Sequence, residues 1–170
     1  MSAPGNVRKT MVDKSNWQTP PELFKYLNDI WHFTVDGAAD AENALCSTYY
    51  SIDDVDAFSA SPNGESIWVN PPYGKLEPWI DLFCDWGKEN MVVALVPAAT
   101  DTVWWNRAAR DCSEVVLLGP GRVHFIDPET SKPCNQNTTS SSLLVWVHWI
   151  SMKGNLTLWD WRKDVFGGQH

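Results

Sequence analysis

Apolar positions fall into two patterns along the chain: short continuous runs, and stretches spaced three or four residues apart. The runs at 67–69, 91–96, 115–118 and 143–149 predict strands, those at 91–96 and 115–118 being of the kind buried on both faces of a parallel sheet. Helical spacing of Leu23, Phe24, Leu27 and Ile30 predicts a first helix. Its start is read from Thr19-Pro20-Pro21-Glu22, with Thr19 as N-cap, Pro20 in the first helical position and Glu22 three residues after the cap. A second helix over 78–88 gathers Trp79, Ile80, Leu82, Phe83 and Trp86 on one broad face, and a third is capped by Asp101 and runs to Arg110. Shorter signals predict a strand over 33–35, a short helix over 41–46 and an edge strand over 156–159. Polar residues make 51–65 and 127–142 read as loops.

Strands alternating with helices predict an α/β fold in a single domain: a mainly parallel sheet with helices on both faces. Ligands of such sheets sit at the carboxyl ends of the strands. The loops that begin at Asp36 and at Asn70 both follow strands, so they are expected to face one crevice.

A length of 170 residues, 44% apolar and 20% charged, fits one core. The polar segment 1–14 is expected to be a flexible arm and 15–170 the folded domain. It has no apolar stretch of the kind a secretory leader carries. The longest apolar run, 143–150, is too short to span a bilayer. The four cysteines are scattered, with no C-x-x-C pair, so no metal site is expected and reduced thiols of a cytoplasmic protein are. Eleven tryptophans supply rings both for a core and for stacking on planar ligands, and their number does not separate the two uses. The net charge of −8 opposes non-specific binding to a polyanion, unless Lys75, Lys88, Arg107, Arg110, Arg122 and Lys132 gather around one mouth.

The most informative stretch is Asn70-Pro71-Pro72-Tyr73, directly after the 67–69 run. Two prolines stiffen the bend and remove two N–H donors, so it offers chiefly carbonyl oxygens. The Asn70 amide oxygen and the Pro71 carbonyl can accept both hydrogens of an exocyclic amino group, while Tyr73 stacks on the planar system that carries it. Pulling on those hydrogens frees a nitrogen lone pair otherwise delocalised into the ring, and so makes a nucleophile for an electrophilic methyl group. Adenine, cytosine and protein glutamine amides all carry such a group, and a strand terminator of ordinary kind has the same letters.

Weaker patterns surround it. Asp36-Gly37-Ala38 is an acid followed by small residues that let a ligand approach the backbone, or simply an Asx turn. Asp56 and Phe58 could bind an adenine amino group and pack on its ring, or belong to a solvated loop. Trp17, Thr19 and Pro20 sit at a helix start, where free N–H groups suit a carboxylate, or form a plain cap. Arg122 could hold a phosphate or a base edge, and Phe125 could stack on an extruded base; a hairpin with a solvated arginine reads equally well.

In order, Trp17-Gln18-Thr19-Pro20-Pro21-Glu22-Leu23-Phe24, Asp36-Gly37-Ala38-Ala39, Glu42-Asn43-Ala44-Leu45-Cys46, Trp68-Val69-Asn70-Pro71-Pro72-Tyr73-Gly74, Val93-Ala94-Leu95-Val96-Pro97-Ala98 with Thr100-Asp101-Thr102, and Gly121-Arg122-Val123-His124-Phe125 resemble the phage-type DNA N-6-adenine methyltransferase family. The resemblance spans about residues 15–150. It implies a class I methyltransferase-like (Rossmann-like) sheet, S-adenosylmethionine as cofactor, and adenine in double-stranded DNA as substrate. Asn70, Pro71, Pro72 and Tyr73 would carry the chemistry. Trp17, Thr19, Pro20, Asp36, Gly37, Ala38, Asp56, Phe58 and Asn70 would line the cofactor site. Tyr73, Lys75, Arg122, Phe125 and Lys132 would meet the DNA. No separate target-recognition domain fits in this length, so base readout would fall to the 127–142 segment or to a second copy in a homodimer. A methyltransferase acting on RNA or on protein glutamine, and a non-catalytic binder of the same fold, are the competing readings.

Overall fold

Seven strands in the order β2-β1-β3-β4-β8-β5-β9 form the central sheet of the computed structural model, which describes residues 17–51, 56–134 and 137–167. The expected arm at 1–14 lies outside the described residues. The elements are α1 (Pro21–Trp31), β1 (Val35–Asp36), β2 (Thr48–Tyr49), β3 (Ser66–Val69), α2 (Glu77–Trp86), β4 (Met91–Pro97), α3 (Val103–Asp111), β5 (Glu114–Gly119), β6 (Ile126–Asp127), β7 (Lys132–Pro133), β8 (Ser141–Val147), β9 (Asn155–Asp160) and α4 (Trp161–Phe166). Every neighbouring pair is parallel except those of β8, which runs antiparallel between β4 and β5.

The continuous apolar runs are strands buried on both sides. Alternate residues of one strand enter two different cores, as the period of two requires. Trp68, Val93, Leu95 and Leu143 join Leu23, Leu27 and Phe125 under α1, whereas Ile67, Val92, Ala94 and Leu144 join Ile80, Phe83, Trp86 and Trp105 under α2 and α3. The predicted α/β architecture with a mainly parallel sheet is therefore the one observed.

The boundaries shift where a polar residue finds a partner inside. The segment read as loop to 142 already holds the first two residues of β8, Ser141 and Ser142. Ser142 is fully buried, accepts from Trp105 Nε1 at 3.2 Å and donates to the Val96 carbonyl at 3.4 Å. The same segment also folds 126–133 into the β6–β7 hairpin. Helix α1 begins one residue later than expected, with Pro20 at the cap and no side-chain capping bond; Thr19 is buried rather than capping. Thr102, not Asp101, caps α3, its hydroxyl accepting from Trp105 N at 3.3 Å. The helix expected over 41–46 is a chain of turns, because Asp40 takes the amides of Glu42 and Asn43 and Leu45 N turns to Asp36.

The chain runs from β1 outward to β2 and returns on the other side of β1 as β3. The carboxyl ends of β1 and β3 thus flank a topological switch point, the position where open α/β sheets bind ligands.

Candidate active site

Asp36 ends β1 and is buried, 3% exposed. Its carboxylate accepts from Ala38 N at 3.3 Å and Leu45 N at 3.1 Å, which ties the turns after β1 into one wall. Burial outweighs these bonds and raises its pKa to about 6. Gly37 answers to packing: a Cβ there would stand 2.9 Å from Val69 Cγ2 and 3.1 Å from Trp86. The absent side chain lets this turn sit down on the sheet.

Asn70 ends β3, and its Nδ2 donates to the Trp17 carbonyl at 2.9 Å. That bond sets the amide with Oδ1 as the remaining acceptor, and among the described residues Oδ1 takes no hydrogen bond. Gln18 pairs with Ile126 in both directions, N–H to carbonyl, at 3.0 and 2.9 Å. The strap before α1 is thereby fastened at one end to the Asn70 loop and at the other to β6. Below it, Trp17 stacks on Phe125 with centroids 5.5 Å apart, and Tyr73 meets Phe125 edge-on at 5.8 Å. The Tyr73 hydroxyl donates to the Leu95 carbonyl at 3.3 Å, and burial drives its pKa above the ordinary range.

Between these walls lies a cavity of about 680 Å³, of the size that holds small cofactors. Trp17, Thr19, Asp36, Ala38, Asp56, Phe58, Asn70 and Pro72 line it. Asp56 caps a single 3₁₀ turn, Ala57–Ser59, accepting from Phe58 N at 3.2 Å, and Phe58 tilts against Trp79 at 4.9 Å. Among the described residues, four carboxylates, Asp36, Asp40, Glu42 and Asp56, stand in the lining with no lysine or arginine.

Several expected residues lie elsewhere. Phe125 is fully buried and forms the aromatic floor, so in this arrangement it has no face for a base. Pro20 and Pro71 are buried beside the cavity without lining it, and Tyr73 is half-buried at its flank. Lys75, Arg122 and Lys132 are exposed and outside it. The six cations do not form one cluster: Lys88, just after α2, pairs with Asp85 at 2.8 Å, and Arg107 of α3 with Asp81 of α2 at 2.6 Å.

The reading of the sequence missed Trp79, Tyr50 and Leu45 as lining residues. Trp79 was absorbed into the apolar stripe of α2, although its place in the first turn, after a loop at a strand's carboxyl end, was the available signal. Tyr50 follows a two-residue strand that has no readable period.

A mainly parallel α/β sheet with an acid-lined, aromatic-walled cavity at its switch point defines a methyltransferase-like protein. The sequence profile of the DNA N-6-adenine-methyltransferase (Dam) family matches residues 6–169, nearly the whole chain, and the chain belongs to that family. A DNA N-6-adenine-methyltransferase of Escherichia phage T1 is 25% identical over 145 residues, 76% of this chain and 61% of that protein. One of Haemophilus phage HP1 (strain HP1c1) is 26% identical over 149 residues, 85% of this chain and 84% of that protein. The chain thus spans less than two thirds of the phage T1 protein.

Proposed function

We propose that the protein transfers a methyl group from S-adenosylmethionine to the exocyclic N6 of adenine in double-stranded DNA. The observation that carries this reading is the Asn70 amide, locked by Trp17 with its Oδ1 left as an acceptor at the cavity edge.

The residues present suit the cofactor. Its sulfonium and ammonium are cationic, and among the described residues the lining has four carboxylates and no side-chain cation. Trp79, Phe58 and Tyr50 offer ring faces for an adenine. Asp36 and Ala38 would hold the centre of the cofactor, Asp56 and Phe58 its adenosine half, and the Thr19 strap its methionine half. When bound, the cofactor supplies an electrophilic methyl group.

Asn70 Oδ1 and the Pro71 carbonyl accept the two amino hydrogens of the substrate adenine and bring its lone pair out of conjugation. Tyr73, anchored through its hydroxyl, stacks on the base. The adenine must leave the duplex to reach this pocket, at a cost of about a few kcal/mol. The acidic lining repels phosphates, which admits the base while keeping the backbone on the rim. Alignment of donor and acceptor is what these residues contribute to the rate. Readout of flanking bases falls to the 126–133 hairpin or to a second copy of the chain. The protein would meet its DNA in the bacterial cytoplasm.

The test is transfer of tritiated methyl from the cofactor to unmethylated duplex DNA, followed by digestion and chromatography of nucleosides. Label in N6-methyladenine is expected. Label only in RNA or in protein glutamine would move the substrate, and cofactor binding without transfer to any of them would make the protein a non-catalytic binder.

A further inference from the structure

Arg162, in the first turn of α4, lies against the chain that leaves β5. Its Nη2 donates to the Arg122 carbonyl at 3.1 Å and stands 3.5 Å from His124 Nε2. Its guanidinium lies 5.3 Å from the Trp161 ring centroid, and its Nε is buried with no hydrogen-bond partner among the described residues. Arg122 is exposed and spends one donor on the Asn137 carbonyl at 3.4 Å.

Among the described residues, no carboxylate forms an ion pair with Arg122 or Arg162. The chain has 21 acids and 13 lysines and arginines, so partners are plentiful. Yet the three ion pairs among the described residues use Lys25, Lys88 and Arg107 instead. The acids nearby are engaged by other donors: Asp160 caps α4, Asp164 takes Trp159 Nε1 at 2.8 Å, and Asp127 takes the amides of Glu129 and Thr130. Arg122 and Arg162 thus present guanidinium charge with no ion-pair partner among the described residues, and a bound anion would supply the missing counter-charge.

Their place in the fold says which anion. β5 runs parallel to β1 and β3, so its carboxyl end opens on the edge that carries the cavity. Val123 and Phe125 turn into the core while Arg122 and His124 face outward, and the same extended segment ends at Ile126 on the cavity lip. Four residue steps lead from Arg122 to Ile126 at that lip, about 13 Å of extended chain, which corresponds to about four base-pair steps along a duplex.

We propose that Arg122, His124 and Arg162 form a clamp for a DNA phosphate on the flank of the target adenine. The proposal rests on the reading of DNA as substrate. It adds the C-terminal helix α4 to the DNA-facing surface and explains how an acidic chain holds a polyanion through a local cationic rim.

Anisotropy of a fluorescein-labelled, adenine-containing duplex, titrated across a range of salt, tests it. The wild-type chain is compared with Arg122→Gln, with Arg162→Lys and with the double variant Arg122→Gln/Arg162→Gln. The slope of log affinity against log salt should fall by about 1 in Arg122→Gln and about 2 in the double variant, and stay near wild type in Arg162→Lys. Calorimetry with S-adenosylmethionine should show cofactor affinity unchanged within about twofold, which also reports that each variant is folded. Wild-type slopes in Arg122→Gln and the double variant would remove the clamp while leaving DNA as substrate. Absence of salt-dependent duplex binding by the wild-type chain would remove both.

Discussion

The Asn70 side chain and the Trp17 main chain are joined by one hydrogen bond, Nδ2 to carbonyl at 2.9 Å, across 53 residues of sequence. It turns the stiff bend after β3 into an oriented acceptor, because an amide whose nitrogen is engaged can offer only its oxygen. Asn70→Ala should therefore lower methyl transfer by at least about a hundredfold, the usual loss for an oriented transition-state contact. Cofactor affinity should stay within a few-fold, since Asn70 addresses the acceptor. Single-turnover transfer and calorimetry on the same variant check both halves; undiminished turnover would take Asn70 out of the mechanism.

Phe125 separates a packing role from a base-stacking role. Its ring is fully buried between Trp17 and Tyr73. Phe125→Ala should destabilise the fold by about 3–5 kcal/mol, read by denaturant unfolding. Phe125→Leu, which refills most of the volume, should keep DNA affinity within a few-fold. A Leu variant with native stability and collapsed DNA affinity would return Phe125 to the substrate.

Trp79 lines the cavity and leans on Phe58 at 4.9 Å. Trp79→Ala should weaken S-adenosylmethionine binding about tenfold, the equivalent of roughly one aromatic contact. Its ring is half-buried and also packs on Phe83, centroids 6.0 Å apart, so melting temperature should fall as well. Equilibrium dialysis at fixed cofactor concentration measures the first effect and calorimetric scanning the second.

Asp36 predicts a pH profile. The carboxyl titrates near 3.8 when solvated and about 6 in the fold, so its burial costs stability in full above pH 6, and that cost fades as pH falls from 6 toward 3.8 and is gone below it. Cofactor binding has the opposite preference, because a cationic ligand favours the ionised acid. Affinity for S-adenosylmethionine should drop about tenfold between pH 7 and pH 5, and Asp36→Asn should flatten the profile. Calorimetry across that interval decides; an unchanged constant would mean that the cofactor does not feel this carboxylate.

Gly37→Ala should destabilise the protein by about 1–3 kcal/mol through overpacking, because the new methyl would press on Val69, Trp86 and Ile67. Urea unfolding reads it. A neutral result would show that the turn after β1 can lift from the sheet.

Local pattern determined a good deal. Continuous apolar runs are strands wherever both faces are covered, so β3, β4, β5 and the body of β8 were legible, and with them the α/β class. The proline bend announced its own chemistry, since two missing donors and a flanking amide are properties of the residues themselves. Elements without a readable period were not legible: two-residue β2, the β6–β7 hairpin, and six-residue α4 depend on partners distant in sequence. Tertiary structure alone decided that Ser142 is core, that Phe125 is a floor, that Gly37 serves packing and that Arg162 meets Arg122. Each of these follows from which neighbour fills the space beside a side chain, and a chain read in order contains no neighbours but the adjacent ones.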